Sequence, residues 1–128
     1  PAAFWDFMPT FARLTNQTES WKQNTDGISI LPTLTGKGKQ KTHKYLYWEF
    51  HEEGGRQAVL QGDWKLVKQK IKSGNPTYEL YNLKNDPFEK TDLSAKNQWM
   101  VRKLKKQMDK AHTPSTMFNF GMENNLKR

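Results

Sequence analysis

The feature that most constrains this sequence is a series of short segments rich in aromatic and aliphatic residues, separated by tight turn signals. The clearest is Tyr-Leu-Tyr-Trp-Glu-Phe at residues 45–50, whose residue types favour extended structure. Gly54-Gly55 ends this segment, and Gln61-Gly62 is typical of a hairpin turn. We predict strands at residues 45–50, 56–60, 63–67 and 78–81, the third extending outward to Lys72. Connections this short predict a four-stranded antiparallel meander.

A single amphipathic helix follows the strands. Between Asn97 and Ala111, apolar side chains recur at helical spacing, and lysine and arginine occupy the other positions. Thr113-Pro114 ends the helix. The predicted fold class is therefore α+β, with the C-terminal helix packed on one face of the sheet. We also expect Met117, Phe118 and Phe120 of the tail to pack locally.

The opposite sheet face also carries apolar side chains that this helix cannot cover. Strand alternation places Leu46, Trp48 and Phe50 on the face away from Tyr47. We therefore expect part of the surface to meet a partner, or to drive self-association if the chain is a fragment of a longer protein.

The N-terminal third is predicted to contain a helix and connecting loops. Residues 6–15 are expected to form a short helix capped by Asp6, and the Asp26 side chain to hold the following loop. The lysine-rich stretch 36–44 is predicted to be a solvated, mobile loop. We divide the chain into residues 1–44, helix and loops, and residues 45–128, the sheet and helix.

Charge and cysteine content restrict the possible functions. The 128 residues contain 21 Lys and Arg against 13 Asp and Glu, a net charge of +8, which is typical of proteins that meet polyanions. With no cysteine, a disulfide, a thiolate metal site and a cysteine nucleophile are excluded. His43, His51 and His112 lack metal-ligand spacing, so we expect no metal site. No apolar run approaches the ~20 residues of a membrane span.

Four segments, in order, resemble the type I sulfatase family. Asp6-Phe-Met-Pro-Thr10 resembles its D-x-x-P-T helix start, and Asp26-Gly-Ile-Ser-Ile-Leu-Pro-Thr-Leu-Thr-Gly36 resembles D-G-x-S-x-x-P-x-L-x-G. Residues 55–67 are similar to the hairpin R-x-A-V-R-x-G-D-W-K-L-V, and residues 78–89 to E-L-Y-N-L-x-x-D-P-x-E. Leu60 departs from the family, which often has a basic residue there.

The resemblance implies the C-terminal subdomain of a bacterial arylsulfatase-like enzyme acting on sulfated glycans. In that family the nucleophile is a formylglycine from a C/S-x-P-S/T-R motif near the N-terminus, and Ca²⁺ or Mg²⁺ is also held upstream. Neither the motif nor a cysteine is present here. We therefore expect no catalytic residue or cofactor in this chain, which should be inactive alone and partner the sulfatase catalytic domain. The family's usual export implies a periplasmic or secreted protein.

The resemblance also suggests substrate contacts near the first hairpin. His51 and Arg56 are predicted to bind a sulfated sugar, and Trp48 to stack on its ring. The alternatives are a solvated turn for His51 and Arg56, and a core or interface position for Trp48. Two other functions remain open from the residues alone, a basic nucleic-acid-binding domain and a carbohydrate-binding module, although no known nucleic-acid motif is present.

Overall fold

The computed structural model describes residues 1–17 and 25–121. The stretch 16–27 is rich in Asn, Gln, Thr and Ser and is predicted from sequence to be a loop; part of it, and the end of the tail, lie outside the described residues. The chain divides into two compact units, Pro1–Lys44 and Tyr45–Arg128. In chain order the elements are a 3-10 turn Phe4–Asp6, α1 (Phe7–Leu14), α2 (Leu31–Thr35), β1 (Leu46–Phe50), β2 (Arg56–Gln61), β3 (Trp64–Gln69), a 3-10 turn Ile71–Ser73, β4 (Thr77–Asn82) and α3 (Gln98–Ala111).

The sheet is the predicted antiparallel meander in the order β1-β2-β3-β4. Its register aligns Trp48 with Ala58, Ala58 with Val67 and Val67 with Glu79. The β2–β3 hairpin turns through Gly62 at φ +60°, a positive angle that glycine adopts without strain. The predicted extension of β3 beyond Val67 is confirmed as far as Gln69 and is wrong from Lys70 to Lys72. The chain instead leaves the sheet at Lys70, at φ +55°, and buries Ile71 in a 3-10 turn.

The core lies between one face of the sheet and α3, which confirms the predicted α+β packing. Val59, Leu66 and Leu80 are fully buried at the centre of the sheet. Facing them on α3 are the buried side chains of Met100, Val101, Leu104 and Met108. Each fully buried aliphatic side chain stabilises the fold by roughly 1.5–3 kcal/mol relative to exposure. This cluster is therefore the main source of stability in the second unit.

One hydrogen bond and one close packing contact hold the neighbouring chain segments around this core. Asp92 accepts a hydrogen bond from the Leu80 backbone N–H at 2.9 Å and so joins the edge strand to the segment that leads into α3. At Gly55, φ is +81° and an added Cβ would lie 2.7 Å from the Phe120 ring. Phe120 is buried there, whereas Met117 and Phe118 are exposed. The Phe118 ring still lies beside that of His51, with centroids 6.1 Å apart, so local packing of the tail is confirmed for Phe120 in the interior and for Phe118 at the surface.

In the first unit, buried polar side chains hold the chain segments together, whereas buried aliphatic side chains do so in the second unit. Asp6 is 1% exposed. It accepts hydrogen bonds from the Ala3 and Ile28 backbone N–H groups, both at 2.8 Å, and from His43 Nε2 at 2.9 Å. The Thr10 hydroxyl accepts from the Ile30 N–H at 3.0 Å. Asp6 and Thr10 therefore tie α1 to the loop that precedes α2.

This network corrects three predictions. Asp6 makes no side-chain cap bond to α1, because its carboxylate serves more distant groups. The loop before α2 is held by Asp6 and Thr10, with Thr25 accepting from the Gly27 N–H, rather than by Asp26. The stretch 36–44 is not simply solvated, because His43 is largely buried against Asp6.

Within the described ranges, no helix is long and apolar enough to cross a bilayer.

Candidate functional site

A groove lies on the sheet face opposite α3, and we call it the open-face groove. It has a volume of about 240 Å³. Each strand contributes a side chain on this face, because the register places every second residue there. The lining side chains that the following argument uses are those of Trp48, Phe50, Arg56, Lys65, Gln69 and Glu79. An aromatic wall therefore stands beside several hydrogen-bonding groups.

The carboxylates of the open-face groove are already engaged. Glu79 accepts hydrogen bonds from Gln69 Nε2 at 2.7 Å and from the Tyr81 hydroxyl at 2.9 Å. Burial and the Glu79 carboxylate together raise the pKa of Tyr81 to about 12, so this hydroxyl remains a donor near neutral pH. Lys65 Nζ lies 2.6 Å from Glu89. The groove thus has a rigid, internally hydrogen-bonded floor.

Two of the three predicted substrate-binding residues meet in this groove. Trp48 and Phe50 lie on β1, and Arg56 stands opposite Phe50 on β2. Arg56 Nη2 donates to Glu53 at 2.8 Å, and both side chains are well exposed. A pair this exposed stabilises the fold weakly, so the guanidinium can exchange Glu53 for an anionic ligand at little cost.

The third predicted residue, His51, does not line the open-face groove. Its Nε2 lies 3.2 Å from Glu49, and its ring packs edge-on against Phe120 with centroids 4.3 Å apart. The geometry therefore joins Trp48 with Arg56 and places His51 in a different environment. Substrate contact by Trp48, Arg56 or His51 stays a prediction.

His51 belongs to a group of polar side chains around Glu49, which we call the Glu49 cluster. The Tyr47 hydroxyl and His112 Nδ1 both hydrogen-bond to Glu49, and Gln57 Nε2 donates to the Tyr47 oxygen at 2.7 Å. Burial alone would raise the pKa of Glu49, but the hydrogen bonds from Tyr47 and His112 outweigh it and hold the pKa below its usual range. Sequence reasoning missed this cluster, since His112 lies far along the chain.

The cofactors implied by the sulfatase resemblance do not fit the residues present. Among the described residues, no group of three or more His, Asp or Glu side chains converges as metal ligands. Ca²⁺ in proteins takes 6–8 oxygen ligands, and nothing comparable is assembled here. Formylglycine formed from cysteine has no precursor, because the sequence contains none. No chemical step is therefore assigned to a metal or to formylglycine in this chain.

A second surface of functional interest lies on α1. The rings of Phe4, Phe7 and Phe11 form a ladder, with successive centroids 5.7 and 6.0 Å apart. These rings are exposed, as are Met8 and Leu14 on the same short helix. We call this set the α1 apolar face. Contiguous exposed apolar surface of this kind is typical of an interaction site.

Comparison with known families identifies the family of this chain. Residues 4–114 match the family model described as N-sulphoglucosamine sulphohydrolase, C-terminal. The chain belongs to this sulfatase family. The prediction of a sulfatase C-terminal subdomain is thereby confirmed, and the family is one of hydrolases. No match was found among curated proteins.

Solved structures agree with the family assignment. A protein from Bacteroides thetaiotaomicron assigned as a sulfatase is 27% identical, with a TM-score of 0.65 over 82% of this chain and 23% of its own. Another, described with glycosaminoglycan metabolism by the same organism, is 23% identical (TM-score 0.60, 83% and 24% covered). A third, solved with its substrate D-glucosamine-2-N,6-O-disulfate, is 21% identical (TM-score 0.61, 83% and 23% covered). These last two show the fold alone. The chain spans about a quarter of each.

Proposed function

We propose that this chain is the C-terminal subdomain of a sulfatase that acts on sulfated glucosamine in glycans. Its role is to complete the catalytic domain and to form one wall of the substrate cleft. The family match over residues 4–114 carries the proposal. The substrate class is suggested by the family's description and by the disulfated glucosamine bound to one protein of the same fold.

In this proposal the chain carries no catalysis of its own. The nucleophile and the hard cation of the reaction belong to the remainder of the sulfatase. This division is supported by the lack of cysteine and of a C/S-x-P-S/T-R motif in the sequence. The chain contributes shape, aromatic surface and one weakly held cation, Arg56.

The α1 apolar face supports the proposed partner. The solved sulfatase-like proteins are about four times longer than the segment this chain matches. Exposed Phe7, Met8 and Phe11 would be costly for a free domain to present to water, at roughly 25 cal/mol per Å² of apolar surface. We propose that this face packs against the catalytic domain, and that it drives self-association when that domain is missing.

The open-face groove is the proposed cleft wall. An indole ring such as that of Trp48 can stack on the apolar face of a sugar ring. A guanidinium such as that of Arg56 can donate two parallel hydrogen bonds to a sulfate, as it does to carboxylate and phosphate. His51 is proposed to act indirectly, by positioning the first hairpin through Glu49 and Phe120.

The central proposal is tested by sequencing the gene upstream of the codon for Pro1 and by assaying sulfate release. We expect the complete reading frame to encode a C/S-x-P-S/T-R motif. Its product should release sulfate from disulfated glucosamine, while this chain alone should not. Release by the chain alone would disprove its inactive role, and an intact reading frame without the motif would disprove the sulfatase function.

The cleft wall is tested in the same complete protein with Trp48→Ala and Arg56→Ala. Each should raise KM for disulfated glucosamine about tenfold, the equivalent of one moderate contact of ~1.4 kcal/mol, with a smaller change in kcat. The matched controls are Trp99→Ala and Arg102→Ala, which remove exposed side chains of α3. Equal effects in variants and controls would refute the assignment of the groove.

A further inference from the structure

The first unit contains a cavity that the proposed cleft wall does not use. It has a volume of about 490 Å³ and lies between α1, the loop before α2 and the lysine-rich stretch after α2. Its lining includes the apolar side chains of Pro9, Ile28 and Pro32 and the cationic side chains of Arg13, Lys39 and Lys41. We call it the cationic pocket. Its size falls in the range of small-molecule sites, about 300–1,000 Å³.

Among the described residues, no acidic side chain balances the charge of the cationic pocket locally. None of the described residues that line it is acidic. Within the described part of the chain, no ion pair engages Arg13, Lys39 or Lys41. The buried carboxylate of this unit, Asp6, is directed to His43 and the Ile28 N–H instead. Three cations around one concavity produce a positive potential that favours an anionic ligand.

The segment that carries the two lysines is held in place by hydrogen bonds. Between Lys39 and Lys41, the Gln40 side chain accepts from the Thr33 hydroxyl at 2.7 Å and donates to the Ser29 carbonyl at 3.0 Å. Two residues beyond Lys41, His43 is fixed to Asp6. The backbone under both lysines is therefore positioned before any ligand arrives, which lowers the entropic cost of binding.

We propose that the cationic pocket binds a sulfated monosaccharide unit, with the sugar ring against the apolar wall and the sulfate groups toward the cations. An apolar wall beside three cations that form no ion pair with any described residue fits a ring that carries anionic substituents better than a bare ion. The proposal rests on the proposed function for the choice of a sulfated sugar. It adds a second binding region, in a unit separate from the one that carries the open-face groove.

The pocket is tested by calorimetric titration of the full chain with disulfated glucosamine. We expect saturable binding by the wild type, and about tenfold weaker binding by Lys39→Gln combined with Lys41→Gln, since two exposed charge contacts are lost. Gln40→Ala keeps every charge but frees the loop, and it should weaken binding severalfold. The control is Lys103→Gln combined with Lys106→Gln on α3, which removes the same charge at exposed sites and should bind like the wild type.

Other probes distinguish the sources of the anion. Unsulfated glucosamine should not bind, and inorganic sulfate should bind more weakly than the sugar. No binding by the wild type, equal losses in the pocket and control variants, or tighter pocket-dependent binding of a single-stranded oligonucleotide would overturn the proposal. Because this titration requires no catalysis, its outcome is independent of the sulfate-release assay. The pocket can therefore fail while the sulfatase function stands, and the converse also holds.

Discussion

The two units of this chain are stabilised by different chemistry. Tyr45–Arg128 buries an aliphatic cluster, including Leu66 and Leu104, between a sheet and a helix. Pro1–Lys44 instead buries Asp6, Thr10 and Ser29, while its large apolar side chains on α1 are exposed. The second unit buries apolar side chains of its sheet and its helix α3 against one another. The first is held together by hydrogen bonds and leaves its apolar surface exposed.

This difference agrees with the two roles proposed for the chain, which are to form a wall of the substrate cleft and to pack against the catalytic domain. A unit with its own core can present a groove of fixed shape. A unit whose apolar face is exposed is suited to join another polypeptide, and its stability should depend on whether that polypeptide is present. The comparison can be tested by substitutions that attack the core of one unit and the polar network of the other.

The largest effect is expected from Leu66→Ala. Leu66 is fully buried at the centre of the sheet, and its truncation should lower the free energy of unfolding by about 3 kcal/mol, within the range for buried leucines. The matched substitution in the first unit is Leu34→Ala, where the side chain is 64% exposed and the cost should stay under ~0.5 kcal/mol. Urea denaturation followed by far-UV circular dichroism measures both. Similar losses would contradict the contrast between the units.

A smaller effect is expected from Asp6→Asn, which weakens the network of the first unit. Loss of the charge from three hydrogen bonds should lower the local stability by about 2 kcal/mol. Amide hydrogen exchange at Ile28, whose N–H bonds to Asp6, reports the local opening. Asp26→Asn is the control, because Asp26 is exposed and should leave this exchange unchanged.

The difference in stability between wild type and Asp6→Asn should depend on pH. Burial alone would raise the pKa of Asp6, but the Ile28 and Ala3 N–H groups and His43 hold it below its ordinary 3.8. A lowered pKa means that the stabilisation is fully present above the ordinary pKa and is lost as the pH falls through the folded-state pKa. Wild type and Asp6→Asn should therefore differ at pH 7 and converge in strong acid. A difference that persists in strong acid would show that Asp6 acts through packing rather than charge.

Much of the second unit could be predicted from sequence because its signals are local. Alternation along β1, the glycine turns and the apolar spacing of α3 each specify a structure within a few residues. The same alternation identified which face carries Trp48. Once the β1–β2 register was known, Arg56 fell on that face as well. These residues of the candidate site were thus accessible to sequence reasoning.

The features that sequence reasoning missed depend on residues far apart in the chain. Asp6 resembles a helix cap locally, yet its partners Ile28 and His43 lie 22 and 37 positions away. The cationic pocket depends on Gln40 returning to Thr33 and Ser29, which no periodic pattern indicates. The helix α2 is only five residues long and begins next to a proline, so its local signal is weak.

The smallest expected effect is that of Glu49→Gln in the second unit, which removes the charge facing His51 and His112. Glu49 is 20% exposed, so solvent screens these contacts and the cost should be about 1 kcal/mol, or a fall in Tm of roughly 3 °C. Because the folded-state pKa of Glu49 lies below its ordinary 4.5, the difference should be present at pH 7 and vanish as the pH falls through that lower value. The control is Glu52→Gln, at a nearby residue whose side chain is exposed. A loss as large as that of Leu66→Ala would mean that the second unit, like the first, depends on a buried polar network.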